Sequence, residues 1–417
     1  MGRVEGDQAL ERDIPLADDH DQVLLKHLRT TCNPQAQSAT PPLVAFEVAD
    51  VKFEKIPFEA PFAIEPMVLA ELPAVPKVSI AIICFNYGRF LPECLDSCLG
   101  QTVPAHQIVV VNDGSTDDSA QILDGYAARF AQVRPIHQPN GGICAATNAA
   151  LAACTGDVVL LLDADDAIAP QRIEKVLEAL RRRVGGHFPG WAHNAMQRFS
   201  QDQPHLGLTP YYPGGRAPEG WLAAETLKAA SCLVLSLTSG LAFRREVLEA
   251  IGPLDADRMM YQDLQLCTAA ALLSPCAWIP EPLTRYRVHG ASATKGSMVS
   301  VAQIKAMRQR AARFDLWLRA QLERHQCGAS ALWRPLDDQG GYLWLSFLER
   351  WLSGEGKDLG LLRRALRHPD TRQGPRQYRI YYYGSVLLPR ALFVSYSQLI
   401  FGASPLKTVL RKLLRRA

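Results

Sequence analysis

The residues with the clearest chemical potential lie in the segment 158–166, Val-Val-Leu-Leu-Leu-Asp-Ala-Asp-Asp. Five apolar residues that change abruptly to three carboxylates predict a strand buried on both faces, followed by its carboxyl end. Ligands bind at that end of the strands in open α/β sheets. Crowded carboxylates repel one another, and a divalent cation is the ordinary way to relieve the repulsion. The segment therefore predicts a metal and diphosphate site, and a solvated acidic turn after a core strand is the alternative.

Strand and helix patterns alternate along the chain around this segment. We predict strands at 78–84, 107–111, 135–137 and 158–162 and helices at 87–99 and 143–153, with another helix starting at Pro170. Such alternation predicts a parallel sheet with right-handed crossovers. Ser115 with Asp118 resembles a capping box that opens a further helix. Beyond Gly185 the pattern becomes irregular, and residues 201–220 are typical of a loop that could cover a site.

The order of several short motifs resembles the family 2 glycosyltransferases, which have the GT-A nucleotide-sugar fold. The resemblance covers residues 78–294, roughly half of the chain. It implies an α/β fold with a Rossmann-like, mostly parallel sheet flanked by helices, and the remaining carboxyl-terminal part reads as a helical extension. The motifs are the first strand with Asn86-Tyr87-Gly88-Arg89-Phe90-Leu91, then Asn112-Asp113-Gly114-Ser115-Thr116-Asp117, Gly141-Gly142 with Asn148, Asp163-Ala164-Asp165-Asp166, Tyr261-Gln262-Asp263-Leu264, and Tyr286-Arg287-Val288-His289-Gly290-Ala291-Ser292.

The resemblance implies an inverting transfer of a sugar from a nucleotide diphosphate sugar to a hydroxyl group. It implies that Asp263 is the general base and that Asp165 and His289 are metal ligands. Hard oxygen ligands suit Mg²⁺ or Mn²⁺, and an imidazole ligand favours Mn²⁺. The residues expected to bind the donor are Phe85, Asn86, Tyr87, Asp113, Gly142, Asn148, Asp163, Ala164 and Asp165. Plainer roles stay open, because Asp263 could cap a helix and His289 could lie in a surface turn.

Three features of the sequence depart from the family pattern. Thr147 stands where many members carry an Arg, so one diphosphate contact must come from elsewhere or be absent. Gln262 stands where many relatives have Glu. The QxxRW motif of the processive enzymes is missing after Asp263, as are their transmembrane helices, which argues against a polymer-extruding synthase.

We divide the chain into three parts: a leader and linker (1–76), the part that the resemblance implies is a GT-A domain (77–299), and a helical extension with a basic amphipathic tail (300–417). The extension carries twelve Lys or Arg from residue 361 onward against the single acid Asp370, about +11 in a chain of net charge +3. This tail predicts peripheral contact with an anionic membrane, at about equal weight with docking on a partner or on the protein itself. Nucleic acid is not an expected partner.

The compartment follows from what the sequence lacks. The chain has ten cysteines without a CxxC or Cys/His metal spacing, which fits buried thiols in a reducing compartment. No secretory signal and no run of about 18 apolar residues is present. We expect a cytoplasmic protein that acts at the inner face of the membrane on a glycan or lipid-linked acceptor.

Other functions are weighed against particular residues. A sugar nucleotidyltransferase needs a glycine-rich, Arg-containing loop after the first strand, where Phe85, Asn86 and Tyr87 stand. No GxGxxG follows a predicted strand, which disfavours a nicotinamide dehydrogenase. A phosphatase with an Asp nucleophile would want Thr or Val at Asp166. A non-catalytic scaffold that binds sugar nucleotide is the alternative from another class, and the retained carboxylates count against it.

Overall fold

The computed structural model of the chain describes residues 65–209, 217–229, 234, 237–258, 260–289, 300–325, 334–368 and 384–401. Most of the predicted leader, part of the predicted cover loop and the basic tail after residue 401 lie outside the described residues. The predictions for those segments therefore stay predictions.

In the described residues the strands form one sheet, in the order β3-β2-β1-β4-β8-β6-β9-β5, with β7 paired to β6. The strands are β1 (Val78–Cys84), β2 (Gln107–Asp113), β3 (Val133–Gln138), β4 (Val158–Asp163), β5 (Ala167–Ile168), β6 (Trp191–Phe199), β7 (Leu208–Thr209), β8 (Leu241–Arg244) and β9 (Cys276–Arg287). The helices are α1 (Leu91–Leu99), α2 (Ser119–Arg129), α3 (Ile143–Ala153), α4 (Arg172–Arg181), α5 (Ala223–Ala229), α6 (Arg245–Ile251), α7 (Gln262–Leu273), α8 (Val301–Arg324), α9 (Gly340–Ser353), α10 (Leu359–Arg367) and α11 (Arg390–Phe401).

The first half of the sheet is parallel, as the alternation of strands and helices predicts. Strand β1 lies between β2 and β4 and pairs with both in parallel, and β2 pairs in parallel with β3. Apolar side chains cover both faces: Ile80 and Ile82 belong to one core, and Ala81 and Ile83 to the other. Because β1, β2 and β4 run in the same direction, their carboxyl ends meet at one edge.

The second half of the sheet is mixed, an arrangement that the alternation of strands and helices does not predict. Strand β8 pairs antiparallel with β4 and with β6, while β6 pairs in parallel with β9. The sequence pattern does not predict strand β6, because the buried polar residues His193 and Asn194 interrupt its run of apolar residues. Strand β9 contains Pro280 and Pro282, which usually interrupt a strand pattern. The register between β6 and β9 shifts at this place, next to Asn194 and Ala195.

The predicted capping box at Ser115 is wrong. Helix α2 begins at Ser119, and Asp118 precedes it without a side-chain capping bond. The Ser115 hydroxyl instead accepts a hydrogen bond of 2.9 Å from the backbone N–H of Asn86. The chain forms a longer turn here because Asp117 accepts hydrogen bonds from the backbone N–H groups of Gly88 and Ser119. The residue types match a capping box, but the hydrogen-bond partner of Ser115 is Asn86, in the loop after β1.

The helical region after residue 300 is confirmed, and its first helix packs on the sheet domain. Helix α8 starts with a capping box in which Ser300 and Gln303 satisfy each other's backbone groups. Its residues Phe314, Trp317 and Leu318 are buried in the same core as β1 and β2. The later helices α9, α10 and α11 form a separate core around Phe347. Within the part of the chain that the structure describes, none of the helices has both the length and the apolar character needed to cross a membrane.

Candidate active site

A cavity of about 570 Å³ opens where β1, β2 and β4 end. It lies at the edge where α/β sheets bind ligands. Several of the predicted donor-binding residues and the predicted base line it together. The lining residues are Ile83, Phe85, Tyr87, Asp113, Asn140, Gly142, Ile143, Asp163, Asp165, Leu237, Thr238, Arg258, Tyr261, Gln262, Asp263 and Tyr286.

Asp113 shapes the wall of the cavity between β2 and α3. Its two carboxylate oxygens accept hydrogen bonds of 2.8 and 2.9 Å from the backbone N–H groups of Gly141 and Gly142. Gly142 has a φ of +88°, a conformation that residues with a Cβ rarely adopt. The Asp113 backbone oxygen also accepts a bond from the Asn140 side chain. The carboxylate therefore fixes the glycine turn through contacts that a linear motif does not reveal.

Of the three predicted residues after β1, two line the cavity and the third connects two loops. Phe85 is 45% exposed and lines the cavity, so its ring offers an apolar face to a ligand. Tyr87 also lines the cavity, and its ring meets that of His289 edge-on at 5.6 Å between centroids. Asn86 is not among the lining residues. Its side-chain oxygen accepts a 2.8 Å bond from the backbone N–H of Thr116, which holds the two loops together.

Asn148 is engaged away from the cavity. Its side-chain amide donates a 2.9 Å bond to the backbone oxygen of Leu254 and accepts a 2.8 Å bond from the same residue's N–H. The side chain therefore joins α3 to the segment that precedes α7. Thr147 is buried, and its hydroxyl donates to the backbone oxygen of Ile143. Neither residue lines the cavity.

The acidic turn after β4 carries its carboxylates in different surroundings. Asp163 and Asp165 line the cavity, while Ala164 is fully buried. Burial, with the charges of Asp165 and Asp263, raises the pKa of Asp163 to about 8. Burial, with the charges of Asp165 and Asp163, also raises the pKa of Asp166 well above its usual range. One oxygen of Asp166, Oδ2, is buried and has no hydrogen-bond partner.

The structure brings His289 to the acidic turn across 124 positions of the sequence. Its Nε2 lies 2.8 Å from Oδ2 of Asp165, and both side chains are nearly buried. The imidazole also contacts the ring of Phe90, with centroids 5.2 Å apart. This carboxylate and imidazole pair has the donor chemistry that suits a divalent cation. Within the described residues no group of three or more His, Cys, Asp or Glu forms a complete metal cage.

Asp263 lies in the first turn of α7 and lines the cavity, although it is 100 positions after Asp163 in the sequence. Its Oδ1 accepts a 2.8 Å hydrogen bond from the backbone N–H of Leu264. Burial raises the pKa of this carboxyl. Tyr261 precedes α7 without a side-chain capping bond. Asp263 is therefore a cavity carboxylate near a helix start with a higher affinity for a proton than an exposed one.

Arg287 is a residue of the site to which sequence reasoning assigned no role, although it lies inside a recognised motif. Its Nε donates a 2.7 Å bond to the backbone oxygen of Asp165, and its own backbone N–H donates to Asp166. The guanidinium also forms an ion pair with Glu93 and lies over the Phe90 ring, 4.6 Å from its centroid. Arg287 thus holds the acidic turn against β9 and α1.

Helix α8 fixes the segment that leads into α7. Arg313 forms ion pairs with Asp255 at 2.7 Å and with Asp257 at 3.0 Å. Arg310 lies over the ring of Tyr261, 4.3 Å from its centroid. No sequence signal placed the extension next to the site, because these contacts depend on how α8 packs against the domain.

We expect the metal-free protein to lose stability between pH 6.5 and 8. The raised pKa of Asp163, about 8, means that the folded state keeps a proton that the unfolded chain releases near pH 4. Stability therefore falls as pH rises through this window, by up to about 1.4 kcal/mol per pH unit for one group. Burial lowers the pKa values of His193 and His325 to about 4, so their opposite contribution is gained mainly below pH 6.5, the ordinary pKa of an imidazole, and offsets only part of the loss above it.

The measurement is the melting temperature in a chelating buffer at pH 6.5 and at pH 8. The wild type should melt a few degrees lower at pH 8. Asp163→Asn should reduce the difference, because the variant has no titrating group at this position. An unchanged difference in the variant would assign the effect to other groups.

Comparisons with known proteins match the segments of the chain that form much of this cavity. The family model described as glycosyl transferase family 2 matches residues 79–251. The match includes the first strand, the Asp113 loop and the acidic turn, and it ends before Asp263 and His289.

Two relatives and one solved structure illustrate the similarity. The chain is 33% identical over 218 residues to an uncharacterized glycosyltransferase of Nostoc sp., a match of 52% of this chain and 66% of that protein. It is 38% identical over 113 residues to chondroitin synthase of Escherichia coli, 27% of this chain and 16% of that enzyme. A crystal structure of S. aureus TarS 1–349 in complex with UDP-GlcNAc aligns with a TM-score of 0.44 and 17% identity, covering 78% of this chain and 90% of that one. The chain spans less than two thirds of the length of these two relatives.

Proposed function

We propose that residues 79–251, which match the family model described as glycosyl transferase family 2, form a domain of that family, and that the protein transfers a sugar from a nucleotide diphosphate sugar to a hydroxyl acceptor. The transfer inverts the anomeric centre, uses Asp263 as general base and is assisted by a divalent metal ion. The observation that carries this proposal is the convergence of Asp113, Asp163, Asp165 and Asp263 on one cavity at the carboxyl ends of the strands.

The cavity offers the donor apolar rings at the end of β1 and carboxylates at the ends of β2 and β4. The exposed ring of Phe85 and the ring of Tyr87 give a nucleobase an apolar surface at the end of β1. The Asp113 carboxylate and the glycine turn that it fixes lie at the end of β2, within reach of the nucleoside. Asp163 lies at the end of β4 and would accept hydrogen bonds from the ribose or the donor sugar.

Asp165 and His289 would hold the metal ion, because their donor atoms are already adjacent. When bound, a divalent ion neutralises charge that develops on the diphosphate leaving group. Both Mn²⁺ and Mg²⁺ suit the carboxylate, and the imidazole favours Mn²⁺. Arg287 holds the backbone of the acidic turn in place from behind.

Asp263 would remove the proton of the acceptor hydroxyl as the hydroxyl attacks the anomeric carbon. The bond from that oxygen to carbon forms while the bond from carbon to the diphosphate oxygen breaks, and attack from the face opposite the leaving group inverts the centre. The pKa that burial raises makes Asp263 a stronger base than an exposed Asp. The hydrogen bond from the Leu264 N–H orients the carboxylate.

The acceptor we propose is a glycan or a lipid-linked glycan precursor. Named relatives include a chondroitin synthase and a hyaluronan synthase, both matched over a small part of their length. The basic tail of the sequence supports peripheral contact with the anionic inner face of a membrane, where such acceptors would be met.

A non-catalytic scaffold that binds the same nucleotide sugar is the second candidate, because the cavity could hold the donor without turnover. The retained base candidate Asp263 favours catalysis, since nucleotide binding alone does not require a carboxylate with a raised pKa at this place. A sugar nucleotidyltransferase does not agree with the family match.

The experiment that tests the proposal is a panel of UDP-, GDP- and dTDP-sugars with Mn²⁺ or Mg²⁺. Slow transfer to water should release nucleoside diphosphate from one preferred donor, and chelation should stop the release. Incubation with glycan and lipid-linked acceptors, followed by mass spectrometry, then identifies the product. Folded protein that binds a nucleotide but turns over no donor, with or without acceptors, would support the scaffold instead.

A further inference from the structure

Acidic residues outnumber basic residues in the lining of the cavity, and the proposed donor is itself negatively charged. Among the described residues that line it, four are aspartates and one, Arg258, is basic. A diphosphate entering such a cavity meets the negative charge of those aspartates that are ionised, and a single divalent ion would have to offset this charge together with that of the phosphates. Arg258 is therefore the basic side chain that the described part of the chain supplies to the cavity wall.

Arg258 lies beside the glycine turn that opens α3. Its Nη2 donates a 2.6 Å hydrogen bond to the backbone oxygen of Asn140. A Cβ added to Gly142 would lie 3.3 Å from the Arg258 Cγ, so the side chain runs along this turn. Helix α3 contains no basic residue, and Thr147, where the family resemblance leads one to expect Arg, is turned into the helix. The guanidinium thus reaches the region that α3 leaves without a cation.

Neighbouring contacts keep Arg258 available for a ligand. The two acids nearest to it along the chain, Asp255 and Asp257, are both paired with Arg313 of α8. Asn148 and Gln265 bind the backbone of Leu254 and Asp255, which fixes the segment just before Arg258. In the part of the chain that the structure describes, Arg258 itself forms no salt bridge. Its fork of N–H donors can therefore face a phosphate, for which guanidinium geometry is well matched.

We propose that Arg258 binds the diphosphate of the donor directly and replaces the contact that an Arg at position 147 would make. This inference rests on the proposed function, since it presumes a nucleotide diphosphate in the cavity. It assigns the cavity two sources of positive charge, a metal ion held at Asp165 and His289 and the guanidinium held at the α3 turn. The contact between Arg258 and the diphosphate would strengthen binding of the donor and would also stabilise the diphosphate as it leaves.

The test compares nucleotides that differ only in their phosphates. UDP, UMP and uridine, or the same series for the base preferred in the donor panel, are titrated calorimetrically into wild type, Arg258→Ala and Arg258→Lys. We expect Arg258→Ala to bind the diphosphate about 10- to 100-fold more weakly and the nucleoside unchanged, because a charge-assisted contact to phosphate is lost. Arg258→Lys should lie between the two, as it keeps the charge and loses the fork.

Arg134→Ala is the matched control, because Arg134 is an exposed residue of β3 that does not line the cavity. It should bind every ligand as the wild type does. Arg258→Ala that binds the diphosphate as tightly as wild type would overturn the Arg258 assignment alone. An equal loss for diphosphate and nucleoside would also overturn it, since the effect would then be structural. Wild type that binds none of the series would refute the proposed function and this inference together.

Discussion

Asp263→Asn should lower kcat for sugar transfer by about 10²- to 10⁴-fold, the usual contribution of a positioned general base. Asn has nearly the same shape as Asp, and its oxygen can still accept the hydrogen bond from the Leu264 N–H. Folding should therefore survive, and burial of a neutral amide should cost less than burial of the carboxylate. The donor affinity should change little, because Asp263 is assigned to the acceptor hydroxyl and not to the nucleotide.

The measurement is the rate of product formation at saturating donor and acceptor, with nucleotide affinity measured separately by calorimetry. Asp124→Asn is a suitable control, since Asp124 is exposed on α2 and bonded to His137, outside the cavity. A variant at Asp263 that keeps more than a tenth of the wild-type kcat would assign the base to another group. A loss of nucleotide affinity equal to the loss of rate would place Asp263 in donor binding instead.

Asp165→Ala should abolish metal-dependent release of nucleoside diphosphate, with a loss of about 10³-fold or more. The estimate follows from the several kcal/mol that a divalent ion contributes to stabilising transition-state charge. The substitution also removes the hydrogen-bond partner of His289, so the imidazole loses its fixed position. His289→Ala should reduce activity in the same direction and raise the Mn²⁺ concentration needed for half-maximal rate.

This prediction is checked by titrating Mn²⁺ into the transfer assay and by measuring Mn²⁺ binding directly by electron paramagnetic resonance. Asp124→Ala, on the exposed side of α2 and outside the cavity, is the control for general effects of removing a carboxylate. Asp165→Ala protein that remains folded and still shows wild-type turnover and Mn²⁺ dependence would move the metal site away from the acidic turn.

The extension after residue 300 affects the interpretation of truncated variants. Helix α8 shares the sheet domain's core and pairs with Asp255 and Asp257, next to the cavity wall. Deletion of α8 should therefore disturb the domain itself, and a test of the membrane proposal should leave α8 in place. The core of the sheet domain thus continues past residue 300 into α8.

The central elements of the fold follow from local sequence. The apolar run of β4 with its acidic end, the strand β1 and the helix α3 were all predicted, with α3 matching the predicted range of 143–153. Their signals are hydrophobic runs and periodicity, which reflect burial on a regular backbone and need no knowledge of distant partners. The sequence accordingly predicts a site at the carboxyl end of β4.

Only the tertiary structure decided which chemical groups meet. The contacts between His289 and Asp165, and between Asn148 and Leu254, join residues more than a hundred positions apart. The place of Arg258 on the cavity wall likewise depends on how the segment before α7 folds back over α3. A linear motif specifies residue types, whereas the adjacency of strand ends follows from burying two faces of a sheet. For that reason the sequence determined the kind of site, and packing determined its members.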